Sequence, residues 1–259
     1  MRIAILESDR EQAEEIRSCL AGAGHDCHVF GSGRQFLVAV GRESFDILLM
    51  GWELADLPGL EMLRAVRRSS SPDLPIIFVT HRDAESDVVD ALNNGADDYV
   101  VLPLRANELG ARVNAVWRRA NPRAEARVVE LPPYTLDVAE RELILHGRRV
   151  ELTHKEFDLA AFLFRNVGRL LSRGHLLEAV WGKSVDVPTR TLDTHISHLR
   201  TKLGLRPENG FRLATVYNFG YRLEVVRNNG GAKVTELPQR SGSASGSAGG
   251  LAREAATAN

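Results

Sequence analysis

Within the first 120 residues a short apolar run gives way to a helix-periodic stretch five times over. Residues 2–6, 28–30, 47–50, 75–79 and 98–101 have strand length and composition. Residues 11–20, 35–40, 59–68, 86–93 and 106–119 repeat apolar or small residues near helical spacing, as Ala13, Ile16 and Leu20 do. Strands that alternate with helices in this way pair in parallel, because each crossover carries the chain back across a face of the sheet. The expectation is a doubly wound parallel sheet with helices on both faces. The third strand run, in FDILLMGWELADLPGLEML (45–63), ends at Gly51. Ligands of open α/β sheets bind outside the carboxyl ends of the strands. A side chain at position 51 would face such a site, and glycine offers none.

The pattern changes after Asn121. A polar stretch without apolar period, 121–130, reads as a linker between a first domain at 1–120 and a second at 131–225. Leu136 and Leu143-Ile144-Leu145 suggest short strands around the turn His146-Gly147-Arg148-Arg149. Thr153 and Glu156 are spaced as a capping box ahead of a helix at 157–165. Ser172 should cap a second helix at 173–180. A third, at 188–203, carries Leu192, Ile196, Leu199 and Leu203 on one stripe. Residues 211–223 look like a hairpin around Asn218-Phe219-Gly220. Three helices followed by a hairpin make a winged helix-turn-helix. The remainder, 226–259, is rich in Gly, Ser and Ala and is expected to be a disordered tail.

Charge separates the two parts. Residues 1–125 hold 14 Arg, no Lys and 20 Asp or Glu, a charge of −6; residues 126–259 hold 19 Lys or Arg against 14 acids, +5. A basic second part suits an anionic partner. No apolar run approaches the ~20 residues a membrane span needs. The start, MRIAILESDR, lacks a signal peptide's long apolar core, so a cytoplasmic protein with no membrane partner is expected. Cys19 and Cys27 have no metal or redox spacing. His25-Asp26-Cys27-His28 reads as a half-buried strand with polar neighbours, and no metal is expected. The chain shows no Gly-rich phosphate loop and no catalytic triad, so neither an enzyme nor a cofactor is expected.

ELTHKEFDLAAFL (151–163), LLSRGHLLEAVWG (170–182), RTLDTHISHLRTKLG (190–204) and FGYRL (219–223), in that order, resemble the effector domain of the OmpR/PhoB family of response regulators. GLEMLRAVR (59–67), Thr80, GADDYV (95–100) and Pro103 extend the resemblance to the family's receiver domain, so that it covers about residues 1–225. It implies a flavodoxin-like (CheY-like) five-stranded parallel sheet followed by a winged helix-turn-helix domain. It also implies a site. The family's phosphoacceptor aspartate falls on Gly51, its acidic pair on Glu7 and Ser8 with Asp9 beside them, its switch threonine on Thr80 and its lysine on Leu102. Transfer needs a nucleophilic carboxylate, Mg²⁺ needs carboxylate ligands, and the phosphoryl charge needs a cation. Three of these groups have changed, so the expectation is a pseudo-receiver that works without phosphorylation. Asp46 and Asp56 lie at the wrong places to substitute.

The resemblance implies double-stranded DNA as a partner, bound as a homodimer, with RNA polymerase or a partner regulatory protein as further contacts. On the third helix Thr194, Ser197, His198 and Thr201 lie on the arc opposite the apolar stripe, with Arg190 and Arg200 at its ends. The family's base and phosphate contacts map onto Arg190, His195, Ser197, His198 and Arg200, and in the wing onto Thr215 and Tyr217. Trp181 should belong to the core. The family's dimer contacts imply Asp97, Asp98, Glu108, Arg112 and Arg119 at the interface. Two alternatives fit the same residues: a phospho-switched regulator using another acceptor, and an adaptor whose second domain binds DNA weakly.

Overall fold

Each expected strand of the first 120 residues forms, and the five lie in one parallel sheet. In chain order the elements are β1 (Arg2–Leu6), α1 (Arg10–Ala21), β2 (Asp26–Phe30), α2 (Gly33–Val40), β3 (Ile47–Met50), α3 (Gly59–Arg67), β4 (Ile76–Thr80), α4 (Glu85–Asn93), β5 (Asp98–Val101) and α5 (Ala106–Ala120). The strand order is β2-β1-β3-β4-β5, all in parallel register. Alternate strand residues face opposite cores. Ile3, Ile5, Ile47, Leu49, Ile77 and Val79 pack against Ile16 and Leu20 of α1 and Leu109, Val113 and Val116 of α5. Ala4, Leu6, Leu48, Met50, Ile76 and Phe78 meet Phe36, Met62, Leu63, Val66 and Ala91 of α2, α3 and α4. Strands buried on both faces read as continuous apolar runs, which is why they stand out in the sequence. This computed structural model describes residues 1–69, 73–103, 105–182 and 187–226.

The second part adds β6 (Val128–Leu131), β7 (Tyr134–Asp137), β8 (Glu142–Leu145), β9 (Arg148–Arg149), α6 (His154–Arg165), β10 (Leu171–Ser172), α7 (Arg173–Trp181), α8 (Thr189–Lys202), β11 (Phe211–Val216) and β12 (Gly220–Val225). A four-stranded antiparallel sheet, β6-β7-β8-β9, precedes the helices, and a three-stranded sheet, β10-β12-β11, follows them in space. One core joins all of it, with Tyr134, Phe164 and Phe211 edge-on or tilted to one another. The Tyr134 hydroxyl donates to the Leu203 carbonyl at 2.7 Å and ties the first sheet to the end of α8. Both expected caps form. Thr153 accepts from the Glu156 N–H while Glu156 accepts from the Thr153 N–H, and Ser172 accepts from the His175 N–H. Gly220 is required by a close approach: a Cβ there would overlap the Leu171 carbonyl across the β10–β12 pair.

Two boundaries differ from expectation for identifiable reasons. The expected linker 121–130 already contains most of β6, because Val128–Leu131 pairs antiparallel with β7 and Val129 enters the core. The connection between the halves therefore ends near residue 127. Helix α2 begins at Gly33, two residues early, because the Asp56 carboxylate accepts the Gly33 and Arg34 N–H groups at 2.8 Å each. The expected tail from residue 227 onward lies outside the described residues. Among those described, no helix is long and apolar enough to cross a membrane.

Candidate functional site

The sheet rim at Gly51 is filled. Glu7, directly after β1, turns its carboxylate into the space beside Gly51, so that a Cβ at position 51 would overlap Glu7 Oε2. The carboxylate is buried, only 5% exposed. Its Oε1 accepts the Asp9 N–H and its Oε2 the Gln12 side-chain amide, both at 2.8 Å. Burial pushes the Glu7 carboxyl above its ordinary pKa, against the opposing backbone hydrogen bonds of Asp9 and Ser8.

The other rim residues are committed elsewhere. Asp9 caps α1 through the Glu11 and Gln12 N–H groups. The Ser8 hydroxyl donates to the Gly31 carbonyl and accepts the Ala55 N–H at 2.8 Å, pinning two rim loops together. Thr80 is buried at the end of β4 and accepts the Arg82 N–H at 3.3 Å. Leu102 packs into the core under α5 with Val79 and Leu109. At the position of the family's lysine, a side chain without charge is better accommodated in the apolar core. Asp56 holds the start of α2, and Asp46 lies at the opposite end of β3, where it accepts the Arg2 N–H.

On the face formed by α4, β5 and α5, the expected interface charges are engaged within the chain. Arg112 pairs with Glu108 at 2.9 Å and Asp98 at 3.2 Å. Asp97 accepts both the Ile76 N–H and Arg67 at the amino end of β4. Both donors reach Oδ2, and the Asp97 side chain stays partly exposed. Arg119 is exposed near the end of α5. Sequence reading did not identify the exposed apolar Val89, Leu92 and Val101 on the same face.

In the second half the apolar stripe of α8 is buried as expected. Arg190, Thr194, Ser197, His198 and Thr201 are exposed along its outer side. His195 is half-buried; its Nδ1–H donates to the Thr191 carbonyl, and its ring stands edge-on to Trp181. Trp181 packs against the core, as expected. Arg200 is a correction. Its guanidinium turns inward to the hairpin, donating to the Leu213 carbonyl at 2.7 and 3.0 Å and to Thr215 Oγ1 at 2.8 Å. It therefore ties α8 to the wing, because an unpaired carbonyl at Leu213 would be costly there. Thr215 is its partner. At the wing tip Tyr217 is 88% exposed, while Phe219 folds back into the core.

Beneath α8 lies a group that sequence reading assigned only to capping. Glu156 is 3% exposed, accepts Lys202 Nζ at 2.7 Å and stands 3.2 Å from His198 Nδ1. Burial alone would raise its carboxyl, but the Lys202 and Thr153 contacts outweigh that and hold it at about 2. One buried anion thus fixes the start of α6 and two residues of the candidate reading helix.

Residues 3–114 match the family model described as "Response regulator receiver domain", and residues 147–223 the one described as "Transcriptional regulatory protein, C terminal". The chain is 38% identical over 226 residues to the sensory transduction protein RegX3 of Mycolicibacterium smegmatis, a match that covers 86% of this chain and 98% of RegX3. It is 35% identical over 221 residues to the DNA-binding response regulator MtrA of Mycobacterium bovis, covering 85% of this chain and 96% of MtrA. Among solved structures it is similar to the response regulator DrrB of Thermotoga maritima, with 26% identity, 86% and 98% coverage and a TM-score of 0.40. The paired domains and the length of the matches lead to one assignment: the chain belongs to the OmpR/PhoB family of response regulators, two-component transcription factors that bind DNA and are not enzymes.

Proposed function

We propose that this protein regulates transcription from specific DNA sites without phosphoryl transfer to its receiver domain. The observation that carries the reading is the Glu7 carboxylate in the space where a side chain at Gly51 would stand. Glycine has no nucleophile. Both Glu7 oxygens are held by hydrogen bonds, and Leu102 supplies no cation for phosphoryl oxygens. Mg²⁺ would find Glu7 already engaged, Asp9 capping α1 and Ser8 in place of the second acid. Incubated with acetyl phosphate and Mg²⁺, the full chain should take up no label, and its DNA affinity should not change. A near-stoichiometric acid-labile adduct on any carboxylate would refute this.

In this reading Arg190, Thr194, Ser197, His198 and Thr201 face the major groove, and His195 and Trp181 support them. Arg200 and Thr215 set the wing, placing Tyr217 against the backbone or minor groove. A homodimer on paired half-sites suits the module, with the apolar patch at Val89, Leu92 and Val101 and the exposed Arg119 as its candidate contacts. Asp98, Glu108 and Arg112 keep their intrachain network in it. RNA polymerase or a partner regulatory protein remains a further proposed contact. His198→Ala is expected to weaken binding by about 1–3 kcal/mol at one base position, whereas Arg190→Ala should weaken it on all sequences and flatten the salt slope. Arg200→Ala should also act on all sequences, through a displaced wing. Quantitative binding to the selected site and to scrambled DNA over a salt series separates these outcomes. Unchanged binding for all three folded variants would favour the adaptor reading.

A further inference from the structure

The two halves meet at the rim of the sheet opposite Gly51, and the contact is polar and buried. Ser44 and Asp46, just before β3, are both buried, as are Ser172 and His175 of the other half. Ser44 Oγ lies 2.8 Å from His175 Nδ1 and accepts the Ser172 N–H at 2.9 Å. The Ser172 hydroxyl donates to Glu43 at 2.7 Å. Arg169 donates to Asp46 Oδ1 at 3.0 Å and to the Phe45 carbonyl at 3.2 Å. Arg2, at the start of β1, pairs with Glu43 and reaches Glu178 of α7 at 3.2 Å. Contacts of this kind are directional: each donor that reaches across loses that partner if the halves separate, and a buried donor or acceptor without a partner is costly.

We propose that this joint is an acid-labile lock, closed at neutral pH and opened by protonation of His175, that fixes the winged helix on the receiver domain at the rim away from the phosphoacceptor position. Closed, it holds the amino end of α7 while Arg190, Thr194, Ser197, His198 and Thr201 of α8 stay exposed. The lock therefore sets where the reading helix is held and does not cover it.

The charge balance around His175 gives the sign. Asp46 Oδ2 stands 3.7 Å from His175 Nε2. Arg169 and Arg2, both held at the same joint, oppose a further positive charge, as does the chain's amino terminus. From its own half the Phe162 ring packs edge-on at 5.4 Å. Burial is the largest effect, and with the two arginines it outweighs Asp46 and pushes the imidazole down to about 4 from 6.5. A histidine that is harder to protonate when docked contributes docking stability that is complete above about pH 6.5 and is lost as pH falls toward 4. Asp46 is also held below its ordinary pKa: burial opposes this, and His175, Arg169 and the Arg2 N–H outweigh it. Its contribution is lost only below the ordinary carboxylate range, in the same direction. Glu178 works the other way, since burial raises its carboxyl while Arg2, its ion-pair partner, lowers it. Between pH 6.5 and 4 the ratio of closed to open protein should fall by up to about tenfold per pH unit.

The lock does not depend on whether the receiver takes up phosphate. The test is small-angle scattering of the full chain, in line with size exclusion, at pH 7.5 and pH 5, with circular dichroism to confirm that secondary structure persists. Wild type should be compact at pH 7.5 and expanded at pH 5. His175→Gln can keep the Ser44 hydrogen bond but cannot gain a proton, so it should stay compact at both. Arg169→Ala should be expanded at both. If Arg169→Ala does not fold, Glu43→Gln, which weakens only the Arg2 and Ser172 contacts, should shift the wild-type opening to higher pH. Wild type of constant dimensions, or wild type and His175→Gln expanding alike, would overturn the proposal.

Discussion

Replacing Glu156 by alanine should cost about 2–4 kcal/mol of stability, the largest loss expected from any single polar change in the second half. Three contributions are lost together: the reciprocal cap of α6, about 1 kcal/mol for such a cap, the ion pair with Lys202, and the contact to His198. Removing one member of a buried pair costs about 3–5 kcal/mol when the other charge is trapped. Here Lys202 is 38% exposed and can turn to water, so the lower part of that range applies. Glu156→Gln keeps the capping geometry and should cost about half as much. The pH dependence follows from a carboxyl held at about 2 against 4.5 unfolded. A depressed carboxylate gives stability that is present above pH 4.5 and is lost as pH falls toward 2, at most about 3 kcal/mol. Urea denaturation of wild type and Glu156→Gln between pH 7 and pH 2.5 checks both points. The variant should show a flatter acid limb, and parallel limbs would contradict the assignment.

Gly51→Asp should destabilise the receiver domain by about 1–3 kcal/mol and restore no phosphorylation. The new Cβ would overlap the Glu7 carboxylate, which must leave its hydrogen bonds to Gln12 and the Asp9 N–H. Two carboxylates in one buried site cannot both ionise at little cost. The remedy is specific: Glu7→Ala, combined with Gly51→Asp, should recover most of the lost stability, because residues in contact couple in a double-mutant cycle. Adding Leu102→Lys should not complete the site, since Leu102 is buried among Val79, Leu109 and Val113, and an ammonium there would be desolvated. Guanidinium titrations of the single and double variants, with phosphoryl labelling of each, decide the matter. A Gly51→Asp protein as stable as wild type and readily labelled would show that Glu7 does not fill the site.

Much of the fold was legible because its signals are local. Apolar runs of four or five residues marked β1, β3 and β4, and helical spacing placed α1 and α8. Thr153 with Glu156, and Ser172 before Arg173, announced two helix starts. Gly51 announced a missing nucleophile. What filled the gap was not legible, because the approach of Glu7 to Gly51 depends on how β1 and β3 pair side by side. Glu156 looked like a cap and no more, since Lys202 lies 46 residues away in sequence. Arg200 matched the outward arc by periodicity, yet the wing carbonyl of Leu213 draws it inward. The joint at Asp46 and Arg169 joins residues 123 positions apart, and nothing in the local pattern of either marks them as partners.

The fit of Glu7 beside Gly51 also bears on descent. With glycine at 51, the neighbouring acid gains room to lie in the vacated space, bonded to Gln12 and Asp9. From that arrangement a return to aspartate at 51 first has to displace the Glu7 carboxylate from Gln12 and the Asp9 N–H. In the proposed phosphorylation-independent reading no single substitution rebuilds a phosphoacceptor site, because Ser8 ties two rim loops together and Leu102 lies in the core. The dependable route for a new input into such a protein is then a different surface of the receiver domain.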